Sequence, residues 1–333
     1  MADHTEAFQD NALLISSELG PLSSAPVPGN VTVEQGFLRG PQKWHAIAIS
    51  VLPAIGTAAA IWLAIKYGMT ATDIWLVVVM YAITMLGISV GYHRHFSHRS
   101  FKAVMPVRFA LAVAGSMAAQ GSVSYWVANH RRHHQYTDRP GDIHSPYWDD
   151  EKQLKSVEGF WHSHMGWTFG HRMTNTVTFA KDIYRDPAIA TANKLYYVWV
   201  ILGLVVPAII GGLVSLSWYG ALTGFLWGGL VRMFLCYHFT NGIDSVTHIF
   251  GRRPFRTHDY STNNALWALP TMGEGWHNNH HAFPSSAVFG LHWWQLDFGA
   301  WLLWGLKKLG LVWGMNVATP DMVAAKKGGG AAA

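Results

Sequence analysis

Uncharged apolar stretches long enough to cross a membrane recur along the chain. Residues 46–65 and 74–92 form two of them, separated by a short loop. Residues 195–231 contain no charged side chain, which is too long for one helix and suits two helices that meet near residues 215–217. About 20 apolar residues cross a bilayer core of about 30 Å. The pattern therefore predicts four membrane-spanning helices, at about 46–65, 74–92, 195–214 and 218–239.

A shorter apolar stretch, residues 109–123, contains two glycines and falls below the length of a comfortable span. We expect it to form an interfacial or re-entrant helix. Residues 93–194 and 240–313 then lie on one side of the membrane. The predicted fold is an all-α integral membrane protein with four transmembrane helices and a cytosolic helical cap. The predicted organisation is a flexible leader (1–43), a membrane-and-cap unit (44–313) and a tail (314–333) whose low-complexity end, residues 326–333, is expected to be disordered.

The composition favours a membrane protein over a soluble or nucleic-acid-binding one. Hydrophobic residues make up 50% of the chain and charged residues 13%, whereas a soluble domain carries about 25% charge. The net charge of +5 comes largely from basic residues beside the apolar stretches, where they mark the cytoplasmic side. We therefore predict no nucleic-acid partner. The single cysteine, Cys236, allows no internal disulfide and fits a reducing compartment. The alternative is that the apolar stretches are core helices of a soluble protein.

Three histidine clusters lie at the ends of the predicted spans. They read His93-Arg-His95-Phe-Ser-His98, His130-Arg-Arg-His133-His134 and His277-Asn-Asn-His280-His281. Residues i, i+3 and i+4 of an α-helix share one face, so the second and third clusters should each converge and could face one another. His93 and His98 are five residues apart and should lie off a common helical face. His248, shortly after the last span, is a further candidate.

Such clusters predict a site with more than one metal ion, because imidazole is the protein ligand that best suits iron, copper or zinc. Two metal ions with four or five imidazoles each would keep positions open for oxygen. Structural zinc closes its shell with four ligands and favours cysteine, which makes zinc the less attractive choice. The nine candidate ligands are His93, His98, His130, His133, His134, His248, His277, His280 and His281.

Metal-bound imidazoles generally donate their second N–H to an acid or a carbonyl. Five acids are close enough in sequence to serve in this way or to bind a metal: Asp138, Asp142, Asp244, Asp259 and Glu274. Each could instead be a solvated surface acid. His95 lies inside a cluster, but its spacing from His93 does not favour the same metal. The remaining histidines, His144 among them, are expected to be surface or packed residues.

At these clusters the chain resembles the membrane-bound fatty acyl desaturases of the Δ9, stearoyl-CoA type, in a bacterial-like form. The matching segments are Gly91-Tyr-His-Arg-His-Phe-Ser-His-Arg-Ser-Phe-Lys102, His130-Arg-Arg-His-His-Gln-Tyr-Thr-Asp138 and Gly273-Glu-Gly-Trp-His-Asn-Asn-His-His281. Shorter matches include Asp142-Ile-His-Ser-Pro146 and Ser245-Val-Thr-His-Ile-Phe-Gly251. The resemblance covers about residues 44–313, with the motifs in the same order and spacing.

The resemblance implies a four-span protein whose cytosolic cap holds two iron ions (Fe2+/Fe3+). Such enzymes use O2 and two external electrons to remove two hydrogens from an acyl chain, here to form a cis double bond at Δ9. The nine histidines match the family's metal ligands one by one. The resemblance also implies a multi-pass protein of the bacterial inner membrane, with its active site on the cytoplasmic side and the acyl chain in a narrow apolar tunnel.

The chain departs from the family's pattern in ways that bear on substrate and electron supply. Asp244 stands where the family usually has an asparagine, and an added negative charge there could bind a metal or lower its potential. Ala128-Asn129 replaces the Arg-Asp pair with which the animal enzymes hold CoA, leaving acyl-CoA, acyl-lipid and acyl-carrier-protein substrates open. The sequence contains no His-Pro-Gly-Gly haem-binding segment. Electrons are therefore expected from a separate ferredoxin, rubredoxin or cytochrome b5.

Two other functions fit parts of the sequence. A fatty acyl hydroxylase on the same scaffold would share every motif, because hydroxylation and desaturation diverge after the first hydrogen is removed. A membrane metal transporter would place ionisable ligands within its spans, near the bilayer midplane. Here the histidine clusters lie at the aqueous ends of the predicted spans, which favours the enzyme.

Overall fold

Four long helices dominate the computed structural model, which describes residues 29–33, 36 and 39–328. Each is long and apolar enough to cross a bilayer: Arg39–Tyr67, Ala71–Ser97, Tyr196–Ser215 and Trp218–Val246. The largest differences from the predicted ranges are seven residues: the first span begins seven residues earlier, and the fourth ends seven residues later. The predicted helical membrane fold with four spans is confirmed. Of the predicted leader (1–43), residues 1–28, 34–35 and 37–38 lie outside the described part of the chain, as do residues 329–333 of the tail.

Two of the four spans change helix type along their length, because π-helical segments interrupt them at Gly87–Ser97 and Phe225–Val231. A third π-helical segment is His162–Gly166, and a 3-10 turn covers Ile183–Arg185. The strands are β1 (Lys102–Ala103), β2 (Trp148–Asp149), β3 (Lys152–Gln153) and β4 (Val312–Trp313). The α-helices are α1 (Arg39–Tyr67), α2 (Ala71–Leu86), α3 (Met105–Met117), α4 (Val123–Tyr136), α5 (Ser156–Trp161), α6 (Trp167–Gly170), α7 (Thr176–Phe179), α8 (Pro187–Lys194), α9 (Tyr196–Ser215), α10 (Trp218–Gly224), α11 (Arg232–Val246), α12 (Ala265–Ala268), α13 (His277–Ala282), α14 (Phe298–Lys308) and α15 (Pro320–Gly328).

Local sequence explains where the spans begin and which way they face. Thr70 caps α2: its hydroxyl accepts from the backbone of Asp73, whose carboxylate accepts in return from the backbone of Thr70. This reciprocal cap satisfies amide groups that a helix start otherwise leaves unpaired. Large apolar side chains such as Ile65 and Leu213 point outward and are exposed. Outward apolar surface on this scale fits contact with lipid.

The short apolar segment forms α3, a 13-residue helix below the length of the four candidate spans. It packs closely on the second span: a Cβ added to Gly87 would lie 2.3 Å from the backbone nitrogen of Gly115. Arg232 holds the same region together. Its buried guanidinium donates to the carbonyl oxygens of Met117 in α3, Gly203 in α9 and Gly228 in the fourth span.

The cap is closed by its carboxyl-terminal segment. Strand β4 pairs antiparallel with β1, which follows the second span directly, with Lys102 opposite Trp313. Helix α15 lies on the cap, and its Lys326 donates to the carbonyl of Ala282 at 2.6 Å. The expected disorder is therefore wrong for residues 326–328, because a helix and a side-chain contact hold them. This arrangement places α13, with the third histidine cluster, under the last helix.

Candidate metal centre

The site begins where the second span becomes a π-helix. The prediction that His93 and His98 lie off a common face is wrong, because it assumed α-helical geometry. In a π-helix the backbone bonds join residues five apart, so positions i and i+5 are one turn from each other. His98 N–H donates to the carbonyl of His93 at 3.2 Å, and the two ring centroids lie 5.0 Å apart. The helix type therefore brings both imidazoles to one side.

Five imidazoles converge in what we call group 1. Their ligand atoms all lie within 4.8 Å of one another. The Nε2 atom of His280 lies 3.0 Å from that of His93 and 2.9 Å from that of His134. The Nε2 atoms of His98 and His130 are 2.8 Å apart. The members of group 1 are His93, His98, His130, His134 and His280.

Four further imidazoles form group 2, again with ligand atoms within 4.8 Å of one another. The Nε2 atoms of His248 and His277 lie 2.9 Å apart. The members of group 2 are His133, His248, His277 and His281. All nine sequence candidates thus fall into the two groups.

The expectation that each His-x-x-His-His cluster converges on one point is wrong in detail, because each cluster is divided between the groups. Helix α4 supplies His130 and His134 to group 1 and His133 to group 2. Helix α13 supplies His280 to group 1 and its other two histidines to group 2. Neighbouring positions on a helix point about 100° apart, so one turn can serve two adjacent centres.

Buried carboxylates hold the second ring nitrogen of four of these histidines. The Nδ1 of His248 lies 2.8 Å from Asp138, and that of His281 lies 2.8 Å from Asp259. The remaining contacts are His133 with Asp142, at 3.0 Å, and a close contact of His93 with Glu274. An acceptor at Nδ1 places the proton there and turns the Nε2 lone pair toward the group centre. Four of the five acids singled out from the sequence therefore orient ligand candidates.

Asp244 is placed differently from those four acids. Its carboxylate lies 3.6 Å from Nδ1 of His144 and contributes to the wall of the adjacent cavity. Neither histidine group includes it. Its neighbour His144 was expected to be a surface or packed residue. It is buried, and its ring lies within 4.8 Å of His133 and Asp142 as a third possible ligand set.

The donor set fits metal ions on two observations. The Nε2 atoms of His133 and His281 are buried and have no hydrogen-bond partner in the described part of the chain. Nitrogens that share a metal at about 2.0–2.1 Å must approach one another closely, as the Nε2 atoms of both groups do. A buried polar atom without a partner is costly, and a cation at the centre of group 2 would remove that cost.

Electrostatics prepares most of the rings as neutral ligands. Burial and the neighbouring imidazoles hold the pKa well below its usual value in His98, His130, His134, His277 and His280. His133 differs: burial lowers its pKa, but the neighbouring carboxylates, Asp142 above all, together outweigh burial and raise the pKa to about 9. The same contact lowers the pKa of Asp142, although its burial alone would raise it. Asp142 therefore remains a carboxylate beside this ring.

A cavity of about 410 Å³ reaches the histidines from the membrane side of the cap. Its wall includes Ile49 of α1 and Tyr197 of α9, and it ends at His93, His130 and His277. The volume lies in the usual range for ligand pockets, about 300–1,000 Å³. Trp126 stacks on His130 with ring centroids 4.9 Å apart, which fixes that ring at the cavity wall. The cavity can hold an apolar chain against both histidine groups.

A buried ion-pair network, which the sequence did not predict, contacts His93 of group 1 through Glu274. Arg94 donates to Asp297 at 2.9 Å and approaches Glu274 at 3.5 Å. Its guanidinium lies over the ring of Phe289, 4.0 Å from the centroid. Glu274 in turn contacts His93, so α14 and the π-helix are joined through the site. His95 faces away from both groups and packs against Phe101.

Comparisons with known proteins agree with this geometry. Residues 72–315 match the fatty acid desaturase family model. The chain is 46% identical over 298 residues to the hex-5-enoyl-[acyl-carrier protein] acetylenase of Moorena producens (strain JHB), covering 89% of this chain and 93% of that protein. It is 36% identical to the sn-1 stearoyl-lipid 9-desaturase of Anabaena variabilis (70% of this chain, 79% of that protein). It is 33% identical to the icosanoyl-CoA 5-desaturase of Limnanthes douglasii (86% and 76%). These matches confirm the resemblance noted from the motifs.

Proposed function

We propose, from the premise that this chain belongs to the fatty acid desaturase family, that it is an O2-dependent fatty acyl desaturase with two iron ions. Family membership makes it an oxidoreductase of the membrane that acts on a fatty acyl chain. The observation that carries the proposal is the position of both histidine groups at one end of an apolar cavity. The overall reaction removes two hydrogens from the chain. O2 takes them up with two electrons and two protons and becomes two molecules of water.

The two histidine groups would hold the metal ions, one in each. Iron is favoured over zinc, because the reaction requires electrons to pass through the metal and zinc has no redox chemistry. When bound, the iron ions would supply the activation of O2. The carboxylates of Asp138, Asp142, Asp259 and Glu274 would keep each Nδ1 protonated and each Nε2 turned inward. Five imidazoles in group 1 and four in group 2 leave room in the smaller group for a further ligand.

The cavity wall would place the acyl chain and exclude water. The rings of Trp126 and Tyr197 and the side chain of Ile49 offer apolar surface to the chain. Because such a chain carries few polar groups, its position is set by the cavity's length and shape, and the distance to the metals selects the carbon. We propose a cis double bond at Δ9. The 9-desaturase of Anabaena variabilis supports this position.

The acyl chain would be carried by CoA, a membrane lipid or acyl carrier protein. Each of these carriers appears in the name of one of the three relatives above. We also propose that the site faces the cytoplasm of a bacterial inner membrane. The support is the row of basic residues beside the spans.

The 46% identity to an acetylenase favours a second candidate function. Such an enzyme removes two hydrogens from an existing double bond and leaves a triple bond. The same histidine groups and cavity would serve, with an alkenoyl chain in place of a saturated one. The two activities differ only in the substrate that the cavity accepts.

Expression in a desaturase-deficient host, with mass spectrometry of acyl chains, tests these proposals. Chains are recovered separately from the free, CoA-linked, lipid-bound and carrier-protein pools, and the position of the new bond is read from fragmentation. Desaturation lowers the mass of a saturated chain by two units, acetylenase action lowers that of an alkenoyl chain by two, and hydroxylation adds sixteen. A hydroxylated product alone would replace the proposal with the hydroxylase. Unchanged chains in all four pools would refute it.

A further inference from the structure

A second opening reaches the histidines through residues that do not line the acyl cavity. It is a cleft of about 480 Å³. Its walls include His98, His134 and His281, whereas the acyl cavity is lined by His93, His130 and His277. The two sets share no residue. Some members of the histidine groups therefore line the apolar cavity, and other members line a separate cleft.

The floor of the cleft joins the two groups. His134 belongs to group 1 and His281 to group 2, and their rings stack with centroids 4.6 Å apart at an interplanar angle of 24°. The Nε2 of His134 also lies 2.9 Å from that of His280, within group 1. A redox group that reaches this floor would be in van der Waals contact with one ligand candidate from each histidine group.

The lining of the cleft is basic. Arg256 is exposed, and the ammonium of Lys326 donates to a backbone carbonyl and lies 5.3 Å from the ring centroid of Phe283. Neither contact neutralises a charge, so both cationic charges remain available to a partner. The nearby acids are already engaged: Asp259 holds His281, and Asp182 pairs with Arg131. Among the described residues, neither Arg256 nor Lys326 has a carboxylate within ion-pair distance. A surplus of positive charge around the opening attracts a negatively charged surface.

We propose that this cleft is the docking site of an acidic one-electron carrier protein, which delivers electrons to both metal positions through His134 and His281. The inference rests on the proposed function, because the oxidation of an acyl chain by O2 consumes two electrons that the substrate does not supply. Separate openings keep the carrier away from the acyl chain. The two electrons enter as single-electron transfers from two molecules of reduced carrier, and each carrier leaves oxidised.

The test uses reduced ferredoxin as the acidic carrier and the full chain in detergent or nanodiscs. Arg256→Glu and the double variant Arg256→Glu/Lys326→Glu are compared with Arg256→Lys, which keeps the charge. Lys66→Glu is the matched control, since it makes the same charge change at the far end of α1 from the acyl cavity. The readouts are the KM for ferredoxin, ferredoxin binding, and single-turnover desaturation with dithionite as reductant.

We expect Arg256→Glu to raise the KM for ferredoxin about tenfold and to weaken its dependence on salt, since rim charges govern association rate and salt sensitivity. The double variant should raise the KM for ferredoxin further, whereas Arg256→Lys and Lys66→Glu should have a KM near that of the wild type. Single turnover with dithionite should be unchanged in all of them. Ferredoxin binding or KM within twofold of wild type in the double variant would overturn the docking site. Absence of product with dithionite in the wild type would instead overturn the proposed function.

Discussion

The rings of His93 and His98 lie 5.0 Å apart at the end of a membrane span. Residues five positions apart in an α-helix would lie off a common face. A π-helix from Gly87 to Ser97 makes the short distance possible. The segment starts at Gly87, where the second span approaches the backbone of Ala114 and Gly115 in α3. Group 1 thus depends on a helical distortion and on the close helix contact beside it.

Gly87→Ala should damage both that contact and the metal site. An added Cβ would lie 2.3 Å from Gly115 N, and a backbone atom cannot move aside as a flexible side chain can. We expect lower thermal stability and reduced iron content, because overpacking costs about 1–3 kcal/mol. Gly305→Ala in α14 is the control, since a Cβ there meets nothing within 4 Å. Equal stability and iron content in the two variants would contradict this reading of the π-helix.

His133→Ala and His280→Ala should abolish activity while leaving membrane insertion intact. Each removes one ligand from a different group, so each should lower iron content from about two ions per chain. Elemental analysis of purified protein gives the content, and the oxidation assay gives the activity. His95→Ala is the matched control, because His95 lies outside both groups. Near-normal turnover in either ligand variant would count against the assignment.

Asp142→Ala should weaken iron binding without removing a ligand. The carboxylate lies 3.0 Å from Nδ1 of His133, and loss of such a partner typically lowers metal affinity or activity by about 10–100-fold. Competition with a chelator measures the affinity. Glu151→Ala, at an exposed position, should leave the affinity unchanged. If the two variants release iron at the same chelator concentration, Asp142 does not orient the ring.

Arg94→Met should destabilise the cap strongly. It leaves Asp297 and Glu274 buried without their cation, and breaking such a network costs about 3–5 kcal/mol. Lys152→Ala removes an exposed pair with Glu158, and such solvent-screened pairs contribute little to stability. Thermal unfolding in detergent compares the two variants. A smaller loss for Arg94→Met than for Lys152→Ala would be the contrary result.

The sequence predicts the spans and the ligand candidates well, since both follow from one-dimensional signals. Apolar length identifies the four helices, and histidine spacing identifies all nine imidazoles. The division of each cluster between two groups does not follow from histidine spacing, because it depends on the position of α4 relative to α13 in the folded structure. The convergence of His98 with His93 does not follow from the sequence either, because the residues that form a π-helix carry no distinct local signature. The ion pair of Arg94 does not follow from the sequence, because its partner Asp297 lies 203 positions away.

The division of the histidine clusters ties the two metal positions to the same pieces of backbone. One turn of α4 and one turn of α13 each contribute to both groups. A rigid shift of either helix would move its imidazoles in both groups together. The relative position of the two imidazole groups is thus tied to the pitch of a helix, and the loss of one turn would remove ligand candidates from both groups at once.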